Sequence, residues 1–160
     1  MMGVGKTSIG MYLSKRLFMK FIDIDKIIEN ELKMTIQKIF LKKGESFFRK
    51  YEEKITLQEI KKENAIISLG GGAFMNPIIR KSILLNCESF WLDLDAALIE
   101  KRLIKSKKRP LLNNKNLKQI LEKIYNERKN IYALANHKID CNNLTTDLII
   151  NKIIKLYEND

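Results

Sequence analysis

Four short stretches of this chain carry residue types able to handle phosphate and an acceptor hydroxyl. The first is Gly3-Val4-Gly5-Lys6-Thr7, followed by Ser8. Glycines at this spacing let backbone N–H groups curl around phosphate oxygens, and a helix starting at the lysine adds a favourable dipole. Lys6 is then placed to reach the β- and γ-phosphates of a nucleotide, and the Thr7 hydroxyl to ligate Mg²⁺. The full pattern, G-x-x-x-x-G-K-[ST], puts its first glycine just ahead of Met1 and a strand ahead of that, so a short chance match is the competing reading.

Asp23 and Asp25 alternate in Phe21-Ile-Asp-Ile-Asp25. On a strand this spacing puts both carboxylates on one face with Ile24 behind them, one available to a metal's shell and the other to an attacking hydroxyl. Asp25 alone reads equally well as the cap of the next helix. Gly70-Gly71-Gly72 closes the apolar run from Ala65 to Leu69. Three glycines lose so much entropy on folding that close approach of backbone to a ligand is the expected reason for them. Lys107-Lys-Arg109-Pro-Leu-Leu112 is a basic segment between two helices. It is either a loop that closes over a triphosphate and brings Arg109 to the transferred group, or a solvated turn.

The apolar spacing supplies a scaffold for these stretches. Ile9, Tyr12, Leu13 and Leu17 predict a helix from near Lys6, and Phe21 to Asp25 a short strand. Helices follow at Ile27, Ile28 and Leu32, at Ile36, Ile39 and Phe40, and after Gly44 with Phe48, Tyr51 and Ile55 on one face. Ala65 to Leu69 reads as a buried parallel strand, and Asn76-Pro77 as a capped helix start. Ser89 to Leu94 is a further strand, with Asp95 capping what comes next. Leu117, Ile120, Leu121, Ile124 and Tyr125 make an amphipathic helix, His137 to Cys141 a last strand, and Ile150, Ile153, Ile154 and Tyr157 a closing helix. Alternating strands and helices predict an α/β chain with a parallel sheet covered on both faces. Ligands in such folds bind beyond the carboxyl ends of the strands, where the polar clusters fall. No repeat or linker interrupts the chain, so residues 1–160 are expected to form a single domain. His137 reads as structural.

Bulk properties narrow the class. The sequence is 45% hydrophobic and 31% charged, as in folded rather than disordered proteins. Its net charge of +11 comes from lysines spread along the whole length, with no one segment concentrating them beside aromatic residues, which argues for solvated faces and against a nucleic-acid partner. No apolar run approaches the roughly 20 residues that span a bilayer, so no membrane partner is expected. Cys87 and Cys141 lack metal-ligand spacing and read as free thiols, which favours the cytoplasm. Arginine is the rarer cation, present only at Arg16, Arg49, Arg80, Arg102, Arg109 and Arg128. In a lysine-rich chain, arginine marks places that need a planar fork for carboxylate or phosphate.

In order and spacing the pieces resemble the shikimate kinases. That family reads G-x-M-G-x-G-K-[ST], F-x-D-x-D, G-E-x-x-F-R, G-G-G, R-P-L-L and E-R-x-x-x-Y. This chain has Met2-Gly-Val-Gly-Lys-Thr7, Phe21-Ile-Asp-Ile-Asp25, Gly44-Glu-Ser-Phe-Phe-Arg49, Gly70-Gly71-Gly72, Arg109-Pro-Leu-Leu112 and Glu127-Arg-Lys-Asn-Ile-Tyr132. The resemblance implies a P-loop fold like that of the nucleoside monophosphate kinases, a three-layer α/β/α sandwich around a central parallel sheet. It also implies a shikimate-binding subdomain at about 25–55 and a lid at about 104–116. The reaction implied is transfer of the ATP γ-phosphoryl group to the 3-hydroxyl of shikimate, giving shikimate 3-phosphate. Carried onto this chain, Gly3, Val4, Gly5, Lys6, Thr7 and Ser8 hold ATP, with Arg102 against the adenine and Arg109 facing the transferred group. Thr7 and Asp23 serve Mg²⁺, directly and through its water shell. Asp25 orients or deprotonates the attacking hydroxyl, while Arg49, Arg128 and the amides of Gly70, Gly71 and Gly72 bind shikimate. A cytoplasmic monomer is expected. The alternatives are another small-molecule P-loop kinase, such as a gluconate kinase, or a non-catalytic nucleotide-binding module.

The chain departs from the family pattern at three places. Phe18 stands where a helix-ending glycine is usual, and Cys141 to Thr146 lacks a proline common near the adenine. The strand and glycine ahead of the phosphate loop are expected before Met1 in the working protein, with Met1 a start inside the motif. A chain starting there is expected to keep its binding residues but turn over poorly.

Overall fold

A computed structural model describes residues 3–105 and 116–159. Arg109 and most of the expected lid lie outside the described residues. The elements run α1 (Lys6–Arg16), β1 (Lys20–Asp23), α2 (Ile24–Leu32), α3 (Ile36–Glu59), β2 (Ala65–Ser68), a 3-10 turn (Ala73–Met75), α4 (Pro77–Asn86), β3 (Phe90–Asp93), α5 (Ala96–Lys105), α6 (Leu117–Tyr132), β4 (His137–Asp140) and α7 (Thr146–Tyr157). The chain divides into two compact units, Thr7–Glu88 and Met1–Lys6 with Ser89–Asp160. Each described unit holds one parallel strand pair, β1 with β2 and β3 with β4.

In the unit Thr7–Glu88, β1 and β2 run in register from Lys20↔Ala65 to Asp23↔Ser68. Parallel strands need a crossover, and α2 and α3 supply it. Asp23 caps α2 by accepting from the Lys26 N–H at 3.3 Å. The α2–α3 corner is closed by Glu29, whose Oε1 accepts from the Ile36 N–H at 3.1 Å, and by Thr35, which caps α3. Gly44 has φ +80 and ψ 166, a conformation closed to bulky residues, and it splits α3 into the two helices that the sequence predicts. Ile24 and Ile28 of α2 pack on Ile39, Phe48 and Ile55 of α3, all nearly inaccessible. Burying an aliphatic or aromatic side chain of this kind contributes about 1.5–3 kcal/mol. The Tyr51 hydroxyl adds a cross-link to Glu31 Oε2 at 2.7 Å.

Three local expectations change. The strand predicted to Asp25 ends at Asp23, because the Asp23 carboxylate takes up a backbone N–H of α2 and turns the chain into a helix. Asp25 therefore sits in the first turn of α2, and the cap that the sequence left open to it belongs to Asp23. Ala65, Ile66 and Ile67 of β2 are half-buried, and only Ser68 of that strand is buried. The 3-10 turn after the glycines has no periodic signal, being too short to show one.

In the other unit, β3 and β4 pair from Phe90↔His137 to Asp93↔Asp140. Two asparagines fix that register. Asn136 Oδ1 accepts from the Ser89 N–H at 3.1 Å, and Asn142 Oδ1 accepts from the Asp95 N–H at 2.9 Å. The buried Asp93 carboxylate accepts from Lys138 Nζ at 2.9 Å, and Lys138 itself lies over the Trp91 ring. His137 stacks on Phe90, in keeping with a structural role. Cys87 and Cys141 are both free thiols, and burial together with the nearby Asp140 pushes the Cys141 thiol up to about 11. No described helix is long and apolar enough to cross a membrane.

Candidate active site

The densest group of predicted site residues lies in the unit Thr7–Glu88, where α3 meets the glycine loop. Arg49 projects from α3 with a carboxylate one turn away on either side. Its Nη1 donates to Glu52 Oε2 at 2.7 Å, while Nε and Nη2 both donate to Glu45 Oε1 at 3.2 Å. The two partners differ in kind: Glu52 is 2% exposed and Glu45 is 65% exposed. Phe48 and Phe40 flank the guanidinium at 5.2 and 5.9 Å from their ring centroids. Burial works against the charge on Arg49, but the hydrogen bonds and attraction of Glu52 and Glu45 outweigh it, so its pKa is raised. A buried carboxylate thus grips the fork from one side, and an exposed one holds the rest of it. Exposed pairs of this type contribute only about 0.3–0.5 kcal/mol, so that part of the fork is readily given to another carboxylate.

The glycine loop packs against the same group. A Cβ on Gly72 would lie 2.5 Å from Arg49 Nη1, and one on Gly70 would lie 2.6 Å from Glu52 Oε1 and 2.9 Å from Asp25 Oδ1. Side chains at these two positions would overlap the charged groups, which is a packing reason for glycine there. Asp25, Arg49, Gly70 and Gly72 are therefore brought together. Glu52 is the residue that sequence reading missed. Its signal was available, since a carboxylate three residues beyond Arg49 falls on the helix face of Phe48 and Ile55 and needs a buried cation.

The metal candidates also meet. The Thr7 hydroxyl donates to Asp23 Oδ2 at 3.0 Å, with both groups reachable from solvent. No larger cluster of metal-ligating side chains occurs among the described residues. One hydroxyl and one carboxylate nevertheless suit Mg²⁺, which keeps most of its positions for water and phosphate oxygens.

Lys6 opens α1, whose first turn contains no acidic residue. The backbone N–H groups and dipole at this end of the helix favour an anion, which fits a phosphate site. In the unit with Ser89–Asp160, Gly3 adopts φ +78 and lies against Ile99 and Leu103 of α5. One helical turn on from Ile99, Arg102 Nη1 donates to the Val4 carbonyl at 3.3 Å. The nucleotide-side residues Gly3, Val4 and Arg102 are thus in one place. Arg128 is half-buried on α6. Ser8 is exposed near the start of α1.

The family model described as "Shikimate kinase" matches residues 2–158. A shikimate kinase of Bacillus subtilis is 42% identical over 158 residues, covering 96% of this chain and 83% of the relative. Among solved structures, a shikimate kinase from Acinetobacter baumannii in complex with shikimate superposes with a TM-score of 0.90 at 30% identity, over 99% of this chain and 89% of that one. A shikimate kinase from Bacteroides thetaiotaomicron gives 0.89 at 25% identity, over 98% and 94%.

Proposed function

The chain belongs to the shikimate kinase family, and we propose that its acceptor site is the group formed by Asp25, Arg49 and the glycine loop. It is an ATP-dependent kinase that phosphorylates a hydroxyl of shikimate, on the P-loop fold of the nucleoside monophosphate kinases. The observation that carries the site assignment is the packing of Gly72 against Arg49 and of Gly70 against Asp25. A small anion bearing hydroxyls needs a guanidinium fork, backbone amides and a carboxylate within a few ångströms, and these residues supply that set.

In this reading Arg49 and Arg128 bind the shikimate carboxylate, assisted by the Gly70, Gly71 and Gly72 amides. The substrate takes over the part of the Arg49 fork that Glu45 holds, while buried Glu52 keeps the guanidinium in place. Asp25 accepts a hydrogen bond from the 3-hydroxyl, orients its oxygen toward the γ-phosphorus and takes its proton as the new P–O bond forms, while the bond from the γ-phosphorus to the β–γ bridging oxygen breaks and ADP leaves with that electron pair. Lys6, with the amides of Gly3, Val4, Gly5, Thr7 and Ser8, stabilises the charge of the β- and γ-phosphates. Thr7 and Asp23 would hold Mg²⁺, which when bound neutralises charge on the phosphate oxygens. Arg102 lies against the adenine, and Arg109 stabilises the transferring group. Such catalysis is mostly positioning and charge stabilisation, with little covalent chemistry left to the protein. The enzyme acts as a cytoplasmic monomer.

The test is the release of ADP by the full-length protein with and without shikimate, in the parent and in Asp25→Asn. Asp25→Asn is expected to lower kcat by about 10²–10⁴-fold, the range for loss of a general base, with the ATP KM within about twofold. A near-normal kcat would contradict the role of Asp25.

A further inference from the structure

Arg16 and Arg80 are the two arginines that the ligand assignments leave unused, and Arg80 has an unexpected address. It is the fourth residue of α4, close behind the Asn76 cap and Pro77. A cation near a helix N-terminus is disfavoured by the macrodipole, so α4 itself gives no reason for it. Helical side chains lean toward the helix start, and Arg80 does so. Its Nη1 donates to the carbonyls of both Phe74, at 3.0 Å, and Met75, at 3.1 Å.

Those carbonyls belong to the 3-10 turn that follows the glycine loop. The turn is tied back to the loop by Ala73 N–H to Gly70 O at 3.2 Å and Met75 N–H to Gly72 O at 3.1 Å. Asn76 N–H closes it on Ala73 O at 3.1 Å. The last carbonyls of such a turn find no partner inside it, and the Arg80 guanidinium supplies one for each. The far side is anchored as well, because Asn76 Nδ2 donates to Glu53 Oε2 at 2.6 Å on α3. Glu53 adjoins Glu52, and the same helix carries Arg49, against which Gly72 lies. Arg80, the 3-10 turn and Asn76 therefore form a brace from α4 to α3, with the glycine loop held inside it.

We infer that Arg80 is a positioning residue for shikimate binding: it locks the 73–75 turn, and through it holds the glycine-loop amides at a fixed distance from Arg49. The inference rests on the assignment of Arg49 and the loop to the shikimate carboxylate. A merely structural Arg80 would affect both substrates alike, whereas a brace on the acceptor site affects one.

The experiment measures KM for shikimate and for ATP in full-length Arg80→Met, Arg80→Lys and Arg49→Lys, with thermal unfolding of each. Arg80→Met is expected to raise the shikimate KM about tenfold while the ATP KM stays within about twofold. Arg80→Lys, which retains one charged nitrogen for the two carbonyls, is expected to recover most of that loss. An unchanged shikimate KM in Arg80→Met, or an equal rise in both KM values, overturns the brace. If Arg80→Met does not fold, Arg80→Gln gives the same reading, since a rise confined to shikimate supports the brace and any other result overturns it. Arg49→Lys separates the two levels. If it leaves the shikimate KM unmoved, the site assignment fails, and if it alone raises that KM, only the brace fails.

Discussion

Arg49 and Phe18 show how much a single position can be made to hold. At Arg49 three nitrogens donate, one to a buried carboxylate, which fixes the fork, and two to an exposed one, which leaves part of it exchangeable. Lysine could not be held this way, because a single ammonium has no planar fork to share. Phe18 is the opposite case, a residue in the wrong conformation for its type. It adopts φ +54 just past α1, where Met19 N–H bonds Ser14 O at 2.9 Å to close the helix end. Its side chain is 97% exposed, so no packing compensates the left-handed backbone. Phe18→Gly is expected to raise stability by about 0.5–1 kcal/mol, since relief of the strained φ outweighs the larger entropy of an unfolded glycine. Urea unfolding measures it, and a lower midpoint would show that the strain is absent.

At the scale of elements, α3 carries Arg49 of the proposed acceptor site on a helix whose buried residues mix apolar side chains with three polar ones, Glu52, Thr56 and Glu59. Thr56 is fully buried on the same helix, and its hydroxyl has no hydrogen-bond partner among the described residues. Replacing a buried, unpartnered hydroxyl by a methyl of similar shape removes a desolvation penalty of about 1–3 kcal/mol. Thr56→Val is therefore expected to raise the unfolding midpoint without altering shikimate binding, and destabilisation would mean that the hydroxyl does have a partner. The helices were legible in the sequence because their apolar spacing and caps are local signals. Asn76 with Pro77, and Gly44 as a break, are where the sequence puts them. The limits of β1 were less legible, because Asp23 can end a strand or cap a helix, and only the hydrogen bond to Lys26 decides between them. Arg80 and the 3-10 turn escaped for a different reason. Their meaning lies in contacts between α3, the loop and α4, which no periodicity encodes.

Over the whole molecule, a family motif series spread along the chain makes the fold and the reaction legible in the sequence. What the series does not contain is how each charge is held. The net charge of +11 favours anionic substrates everywhere on the surface without choosing among them. Choice requires a few groups in fixed geometry, and the proposed place of shikimate selection is Arg49, between Glu52 and the glycine loop. The most direct test is calorimetric titration of shikimate, and separately of ATP, into the full-length parent and Arg49→Lys. The account predicts that Arg49→Lys weakens shikimate binding by at least about tenfold, as loss of a bidentate charged contact should, while ATP affinity stays within about twofold. Equal loss for both ligands, or unchanged shikimate affinity, would contradict it.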